Sequence, residues 1–149
     1  MTRREAREEA LILVFEKQFN SDSIEDIIET AKEVRDIEPD EYILEVFKGV
    51  YDNLEFIDGV ISKYSQGWSI NRITKISLAV LRLAIYEMKF VDAIPVLVSI
   101  NEAVELAKKY SLPVVTHTGN SECDDVQLVY NVAKKYPDVN FVMVHMGLG

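Results

Sequence analysis

The chain has 149 residues and a net charge of −9; 48% of its residues are hydrophobic and 28% charged, with six glycines, four prolines and one cysteine. A chain of this length buries roughly 68–70% of its extended surface, enough for one real core, so disordered and collagen-like classes are excluded. No apolar run approaches the roughly 18 residues of a membrane helix, the opening MTRREAREEA lacks the apolar stretch of an export signal, and the lone Cys123 cannot close an internal disulfide. The expectation is a soluble, cytoplasmic protein with no membrane association.

The charge is polarised along the chain. Residues 20–60 hold 3 basic and 13 acidic groups, whereas residues 61–111 hold 7 basic and 4 acidic. Screening confines each patch to about 8–10 Å, so a net acidic chain can still present a local field that attracts phosphate.

Up to Tyr110 the pattern is helical. Ala6, Ala10, Leu13 and Val14 recur at three and four, giving a first helix from about Thr2 to Phe19. Ser23 opens Ser-Ile-Glu-Asp, an N-cap signal, and Ile24, Ile27, Ile28 and Ala31 form the apolar face of a short second helix. From Pro39 a long single helix is expected, with Ile43, Phe47, Val50, Leu54, Ile57, Ile61 and Tyr64 on one face. Residues 69–90 read as a helix or closely joined pair, so apolar around its circumference that it belongs at the centre of the core. Ser99-Ile-Asn-Glu102 reads as a capping box that starts a last helix ending near Tyr110.

After Ser111 the pattern changes. Pro113 to Gly119 is a short β-branched run, Val139 to Gly147 is another, and Val126, Val129, Tyr130 and Ala133 lie at helical spacing between them. The expectation is strand, helix, strand, with a second strand apolar on both faces as in a parallel sheet. Strands this apolar with open edges predict a homodimer.

Several segments together resemble the NusB family of transcription antitermination factors: Arg3-Arg-Glu-Ala-Arg7-Glu-Glu-Ala10, Gly67-Trp-Ser-Ile70, Val80-Leu-Arg-Leu-Ala-Ile-Tyr-Glu87, and Ile94-Pro95 followed by Ser99 to Tyr110. The resemblance covers about residues 1–111 and implies an all-α bundle of two packed helical halves, 1–64 and 65–111. It further implies pairing with NusE, a small-subunit ribosomal protein, binding to boxA RNA, no cofactor and no catalysis. The family continues into a final helix with a Phe-hydrophobic-Asn-Gly signature, which is missing here. In its place residues 112–149 resemble a strand–helix–strand fragment of a metal-dependent amidohydrolase barrel, so the chain reads as a chimera with an appended β-α-β segment. The amphipathic helix of that segment is expected to fill the groove the missing helix leaves.

The candidate residues follow. Arg3, Arg4 and Arg7 lie three and four apart, so their guanidinium groups can share one face and contact phosphate; the interleaved Glu5, Glu8 and Glu9 fit an ion-paired surface equally well. Spacing alone leaves that open, and the resemblance favours RNA. Lys108 and Lys109 are weaker RNA candidates, because a helix C-terminus favours cations whatever the function. Phe15, Trp68, Tyr86 and Phe90 could stack on bases but fit a core as well. Tyr86 and Glu87 fall where the family meets its ribosomal-protein partner. His117 and His145, the only histidines, each end an expected strand and could hold a metal with Glu122, Cys123 or Asp124; a barrel site needs a His-x-His and an Asp that the chain lacks. Alternative readings are therefore a metal-binding amidohydrolase fragment, or an engineered chimera with no retained activity.

Overall fold

The computed structural model describes residues 1–64 and 70–110 and the main chain of two strands at 114–118 and 141–145. Six helices occupy the first part: α1 (Arg3–Lys17), α2 (Ile24–Arg35), α3 (Glu41–Asp52), α4 (Leu54–Tyr64), α5 (Lys75–Phe90, preceded by a single 3-10 turn at Ile70–Arg72) and α6 (Val96–Lys109). The helical region is an all-α bundle. No helix among the described residues is long and apolar enough to cross a membrane.

Local chemistry accounts for most helix starts. The side chains of Thr2, Ser23, Asp40 and Thr74 each accept a backbone N–H from the first turn of α1, α2, α3 and α5, satisfying donors that the helix itself leaves unpaired. Helix α2 ends on Asp36 in the left-handed region, φ 52°, a conformation a short polar side chain tolerates better than a branched one.

Two expectations are corrected. The single helix expected from Pro39 to Tyr64 is broken at Asn53, whose backbone N–H and side-chain amide both donate to the Gly49 carbonyl, at 3.0 and 2.9 Å. A side chain that bonds the preceding turn competes with helix continuation, and the Asn53 carbonyl then accepts from Ile57 N–H to start α4. The second correction concerns Ser99. Helix α6 begins four residues earlier, capped at Pro95 instead of Ser99, and Ser99 lies inside it, buried, with its hydroxyl donating to Glu87 at 3.0 Å. Proline at a helix start sacrifices no bond, so the start moved upstream and Ser99 was released for a buried role.

Helix α5 is central, as its all-round apolar pattern predicts: it packs against α1, α3, α4 and α6. The core is formed by Leu11, Leu13 and Val14 of α1, Ile43, Val46, Phe47 and Val50 of α3, Ile57 of α4 and Leu78, Ala79 and Leu83 of α5. Where α3 crosses α5, Gly49 faces the Tyr86 ring so closely that a Cβ would overlap it. An apolar groove of about 490 Å³ lies beside Leu11, Ile12, Phe15, Ile76 and Tyr110.

Beyond Tyr110, β1 (Val114–Thr118) pairs in parallel with β2 (Phe141–His145), Val114 opposite Phe141 and Thr118 opposite His145. Residues 65–69, with Trp68, lie outside the described residues, as do the helix expected between the strands and Glu122, Cys123 and Asp124.

Because the α3–α5 crossing depends on a missing side chain, Gly49→Ala is expected to lower stability by about 1–3 kcal/mol, the usual cost of an overpacked core. Thermal or denaturant unfolding of the variant measures it, and an unchanged midpoint contradicts the packing described.

Candidate nucleic-acid interface

The first turns of α1 bring three arginines to one end of the bundle, and the structure gives each a different environment. Arg3 is exposed, its guanidinium 4.3 Å from the centroid of the Tyr42 ring. Arg4, 66% exposed, makes a two-toothed contact with Glu102 of α6, Nε and an Nη each donating to a separate oxygen at 3.2 and 3.0 Å. Arg7 is only 4% exposed. Its Nε donates to Glu87 at 2.7 Å, and an Nη lies 3.7 Å from Glu102.

The expected shared face of three projecting guanidinium groups is therefore corrected for Arg7, which is turned into the core. Arg3 and Arg7 lie one helical turn apart on the same face of α1, but Arg7 is one turn further from the helix end and meets the buried carboxylate of Glu87, which draws the cation inward. Glu87, 1% exposed, accepts from Arg7, the Tyr42 hydroxyl and the Ser99 hydroxyl. It is thus an internal acceptor joining α1, α3, α5 and α6, and presents no surface to a partner. Burial on its own would lower the Arg7 pKa, but the hydrogen bond from Arg7 to Glu87 and the attraction of that carboxylate outweigh it, so the value rises. Burial, reinforced by the Glu87 charge, raises Tyr42 far above the usual tyrosine range and keeps it neutral.

Tyr86 is also buried, against Gly49, with Phe90 stacked on it at 5.2 Å. Phe90 is itself exposed and meets exposed Phe56 edge-on at 5.7 Å. Phe15 is partly buried against the core. At the far end of α6, Lys109 donates to Glu8 at 2.5 Å and the Tyr110 hydroxyl donates to the same oxygen at 3.0 Å, tying the end of α6 to α1. Lys108 is exposed on that last turn. The Lys109 hydrogen bond, more than the opposing effect of burial, holds the Glu8 carboxyl below its ordinary value. His117 and His145 fall at staggered positions of the parallel pair, His117 opposite Val144 and His145 opposite Thr118. Among the described residues no cluster of three potential ligands could hold a metal ion.

Sequence reading missed Tyr42, Ser99 and Glu102 as members of this network. The available signal was polarity out of place: a glutamate and an arginine on otherwise apolar helix faces need partners, and the choice of partner is tertiary.

Removing one member of the buried pair leaves the other charge uncompensated. Glu87→Ala or Arg7→Ala is expected to lose about 3–5 kcal/mol, and the double variant less than the sum of the two; additive losses in denaturant unfolding contradict the coupling. At the helix ends, Glu8 is lowered in the folded state, so its contribution is present above the ordinary value of 4.5 and lost as pH falls through the folded value. Wild type should be more stable than Glu8→Gln at neutral pH, with the advantage fading below about pH 4.5, which unfolding midpoints from pH 7 to 3 will track.

The model of the NusB family matches residues 4–114. The transcription antitermination protein NusB of Acetivibrio thermocellus is 52% identical over 113 residues, 74% of this chain and 78% of the relative. That of Natranaerobius thermophilus is 44% identical over 139 residues, 90% of this chain and all of the relative. Among solved structures, NusB from T. maritima superimposes with a TM-score of 0.64 at 30% identity, covering 91% of this chain and 92% of its own. A crystal structure of the antitermination factors NusB and NusE in complex with double-stranded RNA gives 0.64 at 20% identity, over 90% and 97%. With this match running from the arginines of α1 past the end of α6, the chain belongs to the NusB family.

Proposed function

We propose that the chain is a transcription antitermination adaptor that binds boxA RNA and pairs with the ribosomal protein NusE. Family membership over residues 4–114, with relatives named as transcription antitermination proteins rather than enzymes, carries this reading. A structural neighbour that holds NusE and double-stranded RNA supports both partners.

The RNA face we assign runs from Arg3 and Arg4 on α1 to Lys108 and Lys109 on α6, two ends already joined through Glu8. Arg4 and Lys109 hold carboxylate partners that phosphate would have to displace; exposed pairs of this kind are worth about 0–1 kcal/mol, so the exchange is cheap. Arg7 supports the face from beneath. The NusE contact belongs at the end of α5, where exposed Phe90 stacks on the buried Tyr86 and meets exposed Phe56. The halves 1–64 and 65–111 are proposed as the two units of the bundle.

For the tail from residue 112 we propose an amidohydrolase-like strand–helix–strand. It is supported by the parallel pairing of β1 and β2, since residues 119–140 are long enough for the crossover that parallel strands require.

A mobility-shift measurement with boxA RNA, NusE and increasing salt tests the adaptor. Arg3→Ala with Arg4→Ala is expected to weaken binding and to reduce the slope of log affinity against log salt by about 1.4, about 0.7 for each phosphate of single-stranded RNA left without its arginine. Binding no tighter than to scrambled RNA contradicts the proposal.

A further inference from the structure

Arg3 and Arg4 share a turn and an exposed surface, but only Arg4 has a carboxylate partner among the described residues; Arg3 lies over an aromatic ring. That ring is fixed. Tyr42 is buried in the first turn of α3, its hydroxyl donates to Glu87, and Glu87 is held in turn by Arg7 and Ser99. A four-helix network thus ends in one aromatic face, turned toward the outermost cation of the assigned RNA surface.

We propose that Tyr42 is a positioning residue for RNA binding, holding the Arg3 guanidinium in the orientation in which it meets a phosphate. The inference rests on the RNA reading above and adds to it a residue that touches no RNA. A guanidinium held over a ring needs no acceptor oxygen for that contact, so N–H donors remain available for a phosphate. An ion pair occupies those same donors. An arginine loose in water must give up side-chain rotamer freedom when it binds, and one already resting on a fixed ring gives up less. The neighbouring Arg7, 5.7 Å from the same ring centroid, neutralises Glu87, so the carboxylate behind Tyr42 can fix the ring without competing for Arg3.

The test compares boxA RNA affinity and its salt dependence for the full chain and for variants at Arg3 and Tyr42. Arg3→Ala should weaken binding about 5-fold to 10-fold. Arg3→Lys, a surface change that keeps the charge and removes the planar guanidinium, should lose about 3-fold of this. Tyr42→Leu should lose a similar factor with little change in salt slope, because the phosphate contact persists but is less well prepared, and Tyr42→Phe, which restores the ring but not its bond to Glu87, should recover binding only in part. The double variant Arg3→Ala with Tyr42→Leu should bind no worse than Arg3→Ala alone. Circular dichroism establishes that Tyr42→Leu is folded; if it is not, Arg3→Lys and Tyr42→Phe decide the matter.

Arg3→Lys binding as tightly as the unaltered chain overturns the proposal, and so do additive losses in the double variant. An Arg3→Ala variant that binds RNA normally while other basic substitutions weaken it removes Arg3 from the RNA surface and this inference with it, leaving the adaptor reading intact. Failure of the unaltered chain to bind boxA RNA removes both.

Discussion

A buried carboxylate with three donors organises this bundle. Glu87 sits on the central helix, and an ionised side chain with almost no exposure is costly unless its charge is compensated and its oxygens are hydrogen-bonded. Arg7 supplies the charge from α1, and the hydroxyls of Tyr42 and Ser99 supply further bonds from α3 and α6. Apolar packing would hold the same helices together in several rotations and registers. The carboxylate distinguishes among them, because only one arrangement brings all three donors to it.

The network also sets which basic groups face outward. With Arg7 drawn inside, Arg3 and Arg4 remain at the surface, one over the Tyr42 ring and one forked onto Glu102. At the other end of α6, Lys109 and Tyr110 converge on Glu8. The basic residues proposed for RNA are therefore distributed over two helices cross-linked by their own acidic neighbours.

The helices were largely legible because their signals are local. Ser23 caps α2 by a bond to a residue three positions on, and the all-round apolar pattern before Phe90 marked α5 as central. The failures occurred where a polar side chain had both a local and a distant option. Ser99 followed by Glu102 satisfies the pattern of a capping box, yet Ser99 bonds across the core to Glu87, and Glu102 turns to Arg4. Arg7 and Glu87 read as surface residues because charged residues usually are, and their attraction to each other across 80 positions has no signature in either neighbourhood. Asn53 is the converse case. Its amide reaches back only one turn, to Gly49, but the uninterrupted apolar stripe on either side concealed the break.

The distance in sequence between the partners bears on how the chain is made. Glu87, Glu102 and Lys109, to which charged residues of α1 are tied, are synthesised about eighty to a hundred residues after it. At about 5–20 residues per second, α1 spends several seconds without these anchors. Arg4 and Arg7 acquire their carboxylate partners only once α5 and α6 have been made, so a nascent chain stalled before α6 would carry the cationic sequence without the ion pairs that arrange it.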